Sequence, residues 1–112
     1  MEIFDKVDGI LATLEVPFYN FMPEFAREPP DLFITYNVYD TPALRGDGGE
    51  IATRFFCTFD LFGKSITSVD NLYFALCEAL QNNGFCRSGA SYTSADDFPK
   101  FFRITVEFTI DL

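Results

Sequence analysis

Apolar residues recur at helical spacing from the start of the chain. Ile3, Val7, Ile10, Leu11 and Leu14 fall at i, i+4, i+7, i+8 and i+11, which places them on one face of an α-helix. Gly9 weakens that helix by about 1 kcal/mol relative to Ala, and Pro17 stops it. Val16 to Asn20 reads as a short extended piece, and Pro23, Pro29 and Pro30 make 21–31 a loop. From Leu32 to Tyr39 the period falls to two: Leu32, Ile34, Tyr36 and Val38 face one way, Phe33, Thr35, Asn37 and Tyr39 the other. Thr41 to Glu50, with Pro42, Gly46, Gly48 and Gly49, reads as a flexible loop. A second strand runs from Ile51 to Phe62 and pairs with the first as a long hairpin. It carries Phe55 and Phe59 on one face and Phe56 and Phe62 on the other. Both faces are therefore expected to be covered, one by a helix and one by a partner.

The strongest helical signal follows. Val69, Leu72, Tyr73, Leu76 and Leu80 recur at i, i+3, i+4, i+7 and i+11 with Cys77 beside them. Thr67 or Ser68 is the expected N-cap, with Asp70 at the positive end of the dipole, and Gly84 is the expected stop. Phe85 to Ser94 reads as extended, with Tyr92 its main apolar member, and Asp96 to Pro99 as a turn. In the last strand Phe102, Ile104, Val106, Phe108, Ile110 and Leu112 alternate with polar residues. Helix, strands, helix, strands in that order predict an α+β fold: an antiparallel or mixed sheet with two main helices packed on one face, in a single domain over 1–112.

Composition narrows the function. The chain of 112 residues has 15 Phe, no Trp and no His. That fits either a Phe-rich core or more aromatic residues than one small core needs, in which case exposed ones would mark contact with other proteins. The net charge of −9 repels nucleic-acid phosphates and anionic membrane surfaces. Glu2, Asp5 and Asp8 near the N-terminus do not read as a secretory signal, so Cys57, Cys77 and Cys86 are expected as reduced thiols of a cytoplasmic protein.

Catalytic chemistry finds few tools. Without His there is no His base, Cys-His pair or Ser-His-Asp triad. Three dispersed Cys do not make a zinc site. Gly63-Lys64-Ser65 sits at a strand-to-helix junction, but the earlier Gly that a phosphate loop needs is Thr58. Asp47 and Glu50 miss calcium-loop spacing, and Asp96-Asp97 reads as a solvated turn. No enzyme activity, cofactor or metal is expected. The features left over are suited to protein contact. Arg45, Asp47 and Glu50 lie at the tip of the hairpin, and Phe56 and Phe62 lie on its second face; these five are the candidate interface residues. Phe18-Tyr19-Asn20-Phe21-Met22 either staples the first helix to the core or forms a second contact patch.

The order of these signals carries a resemblance. Pro30-Asp31-Leu32-Phe33-Ile34-Thr35-Tyr36 opens a strand after a short N-terminal helix, and Arg54 to Phe62 forms the next. An amphipathic helix ends in Leu76, Leu80, Gly84 and Phe85, a segment with Tyr92 follows, and a final strand closes the pattern. Over nearly its whole length the chain resembles the tail terminator (tail-completion) proteins of long-tailed phages and prophages. The resemblance implies a structural ring, usually a hexamer, that caps the tail tube, ends its growth and joins it to the head. Its implied partners are copies of itself, the tail tube protein and the head–tail connector or neck protein. Genome DNA would pass through without specific binding, and no membrane would be involved. Its implied locations are the host cytoplasm during assembly and then the virion tail. The Thr41 to Glu50 loop would meet a neighbour or the tube, and edges of the hairpin and of the last strand would pair between subunits. Other readings stay open: another neck or minor tail protein, a small ligand-binding or regulatory α+β module, and, third, an enzyme with a carboxylate-lined cleft.

Overall fold

The computed structural model describes residues 2–25, 28–46, 49–94 and 101–112, with side chains described over 3–25, 28–39, 53–91 and 101–112. Seven elements follow in order: α1 (Glu2–Ala12), β1 (Phe18–Asn20), β2 (Leu32–Gly46), β3 (Gly49–Gly63), α2 (Ile66–Gln81), β4 (Cys86–Ser94) and β5 (Phe102–Asp111). The strands form one mixed sheet in the order β1-β2-β3-β5-β4. Only β1 runs parallel to its neighbour; the other pairings are antiparallel.

The period-two signals put the two faces of the sheet where the sequence implies. Ile34 pairs with Leu61, and Leu61 with Ile104; Tyr36, Phe59 and Val106 form the next row, and Cys57 and Phe108 the next. These residues are buried under Ile3, Val7, Ile10 and Leu11 of α1 and Val69, Leu72, Leu76, Cys77 and Leu80 of α2. Both helices therefore cover the same face. Each fully buried Leu or Ile contributes about 1.5–3 kcal/mol of burial free energy.

Helix boundaries differ from the sequence reading for local reasons. The helix α1 ends at Ala12 rather than at Pro17, because Thr13 and Leu14 turn back to carbonyls three residues earlier and Glu15 takes φ 58°. The cap of α2 is Ser65, not Thr67 or Ser68; its side chain accepts from the Ser68 N–H, and no acidic residue lies in the first turn. At the other end the Phe85 N–H donates to the Leu80 carbonyl and the Gly84 N–H to that of Gln81. These are the two bonds of a Schellman motif, with Gly84 at φ 90° where a Cβ would be strained. Leu80 and Phe85, the apolar pair of that motif, are both buried in the core. The run read from sequence as Leu-x3-Leu-x3-Gly-Phe is thus a helix end with its cap.

Gly63 closes β3 immediately before α2. A Cβ there would lie 2.5 Å from Val69 Cγ2 and 3.0 Å from Leu32 Cδ1. The Gly-Lys-Ser junction is a tight turn into a capped helix: its Lys64 bridges to Asp31 at 3.1 Å and its Ser65 is the cap.

The largest departure is the segment from Thr41 to Glu50, read from sequence as a loop. β2 continues to Gly46 and β3 begins at Gly49, with register shifts between Pro42 and Leu44 and between Leu44 and Arg45. A β-bulge takes up the irregular residues and lets pairing run on past Pro42. Asp47 and Gly48 at the tip lie outside the described residues, as do the Asp96 to Pro99 turn and the Tyr92 side chain.

Candidate functional site: an open sheet face and a projecting hairpin

The face of the sheet turned away from the helices is built in rows. Phe33, Phe62 and Arg103 form the first row across β2, β3 and β5. Phe33 stacks on Phe62 at 4.9 Å and 11°. Phe25, Tyr19 and Phe101 close over them edge-on at 5.4, 6.2 and 5.9 Å from Phe33. Phe33 and Phe62 are buried. The aromatic second face is therefore covered at this end by the chain's own Tyr19, Phe25 and Phe101, not by a partner. Of the two candidate interface residues whose side chains are described, Phe62 is buried by the chain itself and Phe56 is half-buried.

Moving toward the hairpin tip, the face becomes polar and then aromatic again. Thr35, Asp60 and Thr105 form the second row. The Asp60 carboxylate accepts from Thr105 Oγ1 at 2.5 Å and from Arg103 Nε at 3.1 Å, and Arg103 also lies over the Phe62 ring at 5.4 Å. Asn37, Thr58 and Glu107 come next, then Tyr39, Phe56 and Thr109. Tyr39 and Phe56 stack at 5.2 Å and 10°, nearly the geometry of Phe33 and Phe62, but Tyr39 is 57% exposed. Beyond them Arg54 and Asp111 make a two-pronged ion pair at 2.8 and 3.1 Å. That contact holds the Asp111 carboxyl below its usual range and the Arg54 guanidinium above its own.

Two strand edges are open among the described residues. β1 covers the outer edge of β2 only as far as Tyr36, where the Phe21 N–H donates to the Tyr36 carbonyl. From Asn37 to Gly46 that edge has no neighbour. On the opposite side of the sheet β4 pairs only with β5, so its outer edge from Cys86 to Ser94 is open too. The last strand, read from sequence as an edge that could pair between subunits, is interior: β5 lies between β3 and β4. β4 takes the edge in its place. It carries no acidic residue in a chain of net charge −9, and its bulge lies between Arg87 and Gly89.

β5 accompanies β3 only to Thr53, whose N–H and carbonyl pair with Leu112. Among the described residues the hairpin beyond that point has no third strand. At ~3.4 Å per residue its four described residues on β3, Gly49 to Ala52, extend about 14 Å, and the fold spans 52 × 27 × 24 Å. Arg45 pairs with Glu50 in the backbone ladder of this arm. The side chains of Arg45 and Glu50, and Asp47 altogether, lie outside the described residues.

The Phe18 to Met22 segment divides its work. Phe18 packs against the main core and Tyr19 against the outer aromatic cluster, whereas Phe21 and Met22 are exposed. Sequence reasoning did not single out Phe74, which is 71% exposed on α2. Its place on the helix, off the face marked by Leu72, Leu76 and Leu80, is the signal that could have found it.

The fold is shared with a virion chain. A chain of the virion of a native gene transfer agent particle superposes with a TM-score of 0.65 at 12% sequence identity, covering 91% of this chain and 82% of that one. No protein-family model and no curated protein sequence matches. The described residues hold no group of three or more Cys, Asp or Glu placed for a metal ion. None of the described helices is long and apolar enough to cross a membrane.

Proposed function

We propose that this chain is a structural protein of a phage-like virion, a tail terminator that assembles into a ring, usually of six copies, on the tail tube. The ring would end tube growth and join the tube to the head side. The observation that carries this reading is the pair of open strand edges on opposite sides of one sheet, one of them on a projecting arm. A head-to-tail ring needs two different patches on each subunit, and an arm edge laid along a neighbour's β4 supplies them by strand addition. The stacked Tyr39 and Phe56, half open on the sheet face at the base of that arm, would be covered by the neighbour, together with Arg45, Asp47 and Glu50. The fold likeness to a gene transfer agent virion chain supports the reading. The net charge of −9 suits a passage through which DNA moves without sticking. The partners on this reading are further copies of the chain, the tube protein and a neck protein, and no catalytic step is assigned.

The test is electron microscopy of purified tail tubes grown with the protein. Capped tubes of fixed length with a ring at one end are expected. A variant in which residues 41–54 are replaced by Asn-Gly joins Asp40 to Phe55, cross-strand partners in the native register. It should keep its fold and lose capping. Tubes that continue to grow at both ends in the presence of the full protein would rule the terminator role out.

A further inference from the structure

Between α1, β2 and the segment after β1 lies a groove of about 450 Å³ lined by Phe4, Phe18, Phe21, Pro23, Tyr36 and Asp8. Phe4 and Asp8 sit one turn apart on α1 and so face the groove together. The Phe4 and Tyr36 rings lie 6.4 Å apart at 45°. Phe21 stands at the mouth with φ 68° and 62% exposure. A bulky aromatic residue in left-handed backbone is costly, and such residues persist where the surroundings or a function hold them. At the floor the Tyr36 hydroxyl donates to Asp8 Oδ1. None of the described residues places a cation within ion-pair distance of Asp8.

Aromatic faces carry negative charge, and a carboxylate among them completes a setting that attracts a cation. The groove is open to one side and continues onto exposed Phe21 and Met22, so it admits a side chain carried on a polypeptide. Among the described cations, Arg54, Arg87, Arg103 and Lys64 are engaged with Asp111, Tyr73, Asp60 and Asp31, and Lys6, two positions before Asp8 on α1, does not share its face. With a net charge of −9, the complementary partner is a basic one. We infer that this groove docks an arginine or lysine side chain of a different, basic partner protein. The inference does not depend on the ring reading: the groove adjoins the start of the open β2 edge at Tyr36, but none of its lining residues is one of the candidate ring contacts.

The probe is the peptide acetyl-Gly-Arg-Gly-amide, titrated into the isotope-labelled protein and followed by amide chemical shifts. A matched peptide with citrulline keeps the shape and removes the charge. Saturable shifts at Asp8, Asn20, Phe21 and Tyr36 are expected, with affinity at least about tenfold weaker for citrulline. Asp8→Asn keeps an acceptor for the Tyr36 hydroxyl and should weaken the arginine peptide by about tenfold. Phe21→Gly removes the ring while suiting the left-handed backbone, and should weaken binding several-fold. Asp5→Asn, the same charge change at an exposed site on the same helix, should leave binding unchanged. Equal binding of the citrulline peptide would overturn the inference, as would indifference to Asp8→Asn or shifts spread evenly over Glu28, Asp31 and Asp70. Self-association of the protein that Asp8→Asn abolishes would place a second copy in the groove and overturn the assignment to a foreign partner.

Discussion

Two aromatic stacks on one sheet face provide a controlled comparison. Phe33 with Phe62 and Tyr39 with Phe56 are both cross-strand pairs of β2 and β3. Their ring separations are 4.9 and 5.2 Å and their planes nearly parallel. They differ in cover: Phe33 is fully buried under Phe25, Tyr19 and Phe101, whereas Tyr39 is 57% exposed. Phe33→Ala should therefore cost about 3–5 kcal/mol, the transfer and cavity cost of a buried Phe. Tyr39→Ala forfeits mainly the ring contact, about 0.5–1.5 kcal/mol. For 112 residues an unfolding entropy of about 2.1 cal/mol/K per residue makes each kcal/mol worth roughly 4 °C of Tm. The two variants should thus separate by roughly 10 °C. Thermal unfolding of the isolated chain at low concentration measures the Tm values, and urea unfolding, with its slope checked for constancy, measures the free energies. Equal costs, or a Phe33→Ala cost below about 1.5 kcal/mol, would refute the claim that the chain covers its own outer cluster. In the tube-capping assay the ranking should invert, since Tyr39→Ala keeps the fold and loses a ring of the proposed interface.

Other perturbations probe single features. Gly63→Ala forces a Cβ against Val69 Cγ2 at 2.5 Å, and thermal unfolding should show a loss of about 1–3 kcal/mol. Gly84→Ala places a side chain at φ 90° and should cost about 1 kcal/mol, with Gly84→Asn milder. Burial pushes the Cys57 thiol up to about 11 from 9.0, and burial followed by the Asp8 contact raises the Tyr36 hydroxyl above its usual range. Both groups are neutral in the fold and ionise first when unfolded. Their contributions are thus complete below the unfolded values and decline as pH rises through the folded ones. Urea midpoints should fall from about pH 9 upward, and Cys57→Ala should flatten the decline between 9 and about 11. Of the three thiols only Cys86 is exposed; an aromatic disulfide reagent at neutral pH should modify it rapidly and leave Cys57 and Cys77 to react on unfolding.

The helices and strand faces were legible because burial follows spacing. Val69, Leu72, Leu76 and Leu80 are all buried, and Ile104, Val106, Phe108 and Ile110 face the core as their alternation demands. The arm was not legible, because Pro42 and Gly46 carry loop chemistry locally, and only the bulged pairing with β3 shows that the strand continues. Phe62 looked like a surface residue because its cover, Phe25 and Phe101, lies far away in sequence. The cap of α2 was misplaced by one turn, since the serines at 65 and 68 are equivalent in type and only backbone geometry separates them. The groove needs Asp8 and Tyr36 together, 28 positions apart, which no periodicity reports. The interior position of β5 follows from sheet order, a fact of long-range pairing that alternation does not encode.

That sheet order also sets a timetable. β5 follows both β3 and β4 in the chain, yet it separates them in the sheet and is the strand on which β4 pairs. A ribosome-bound chain that has not released Phe102–Asp111 holds β4 with no ladder, and its two helices lack part of the floor on which they rest. On the proposed ring reading, the β4 edge offered to a neighbour forms only once β5 has been made, so chains terminated before β5 would lack it.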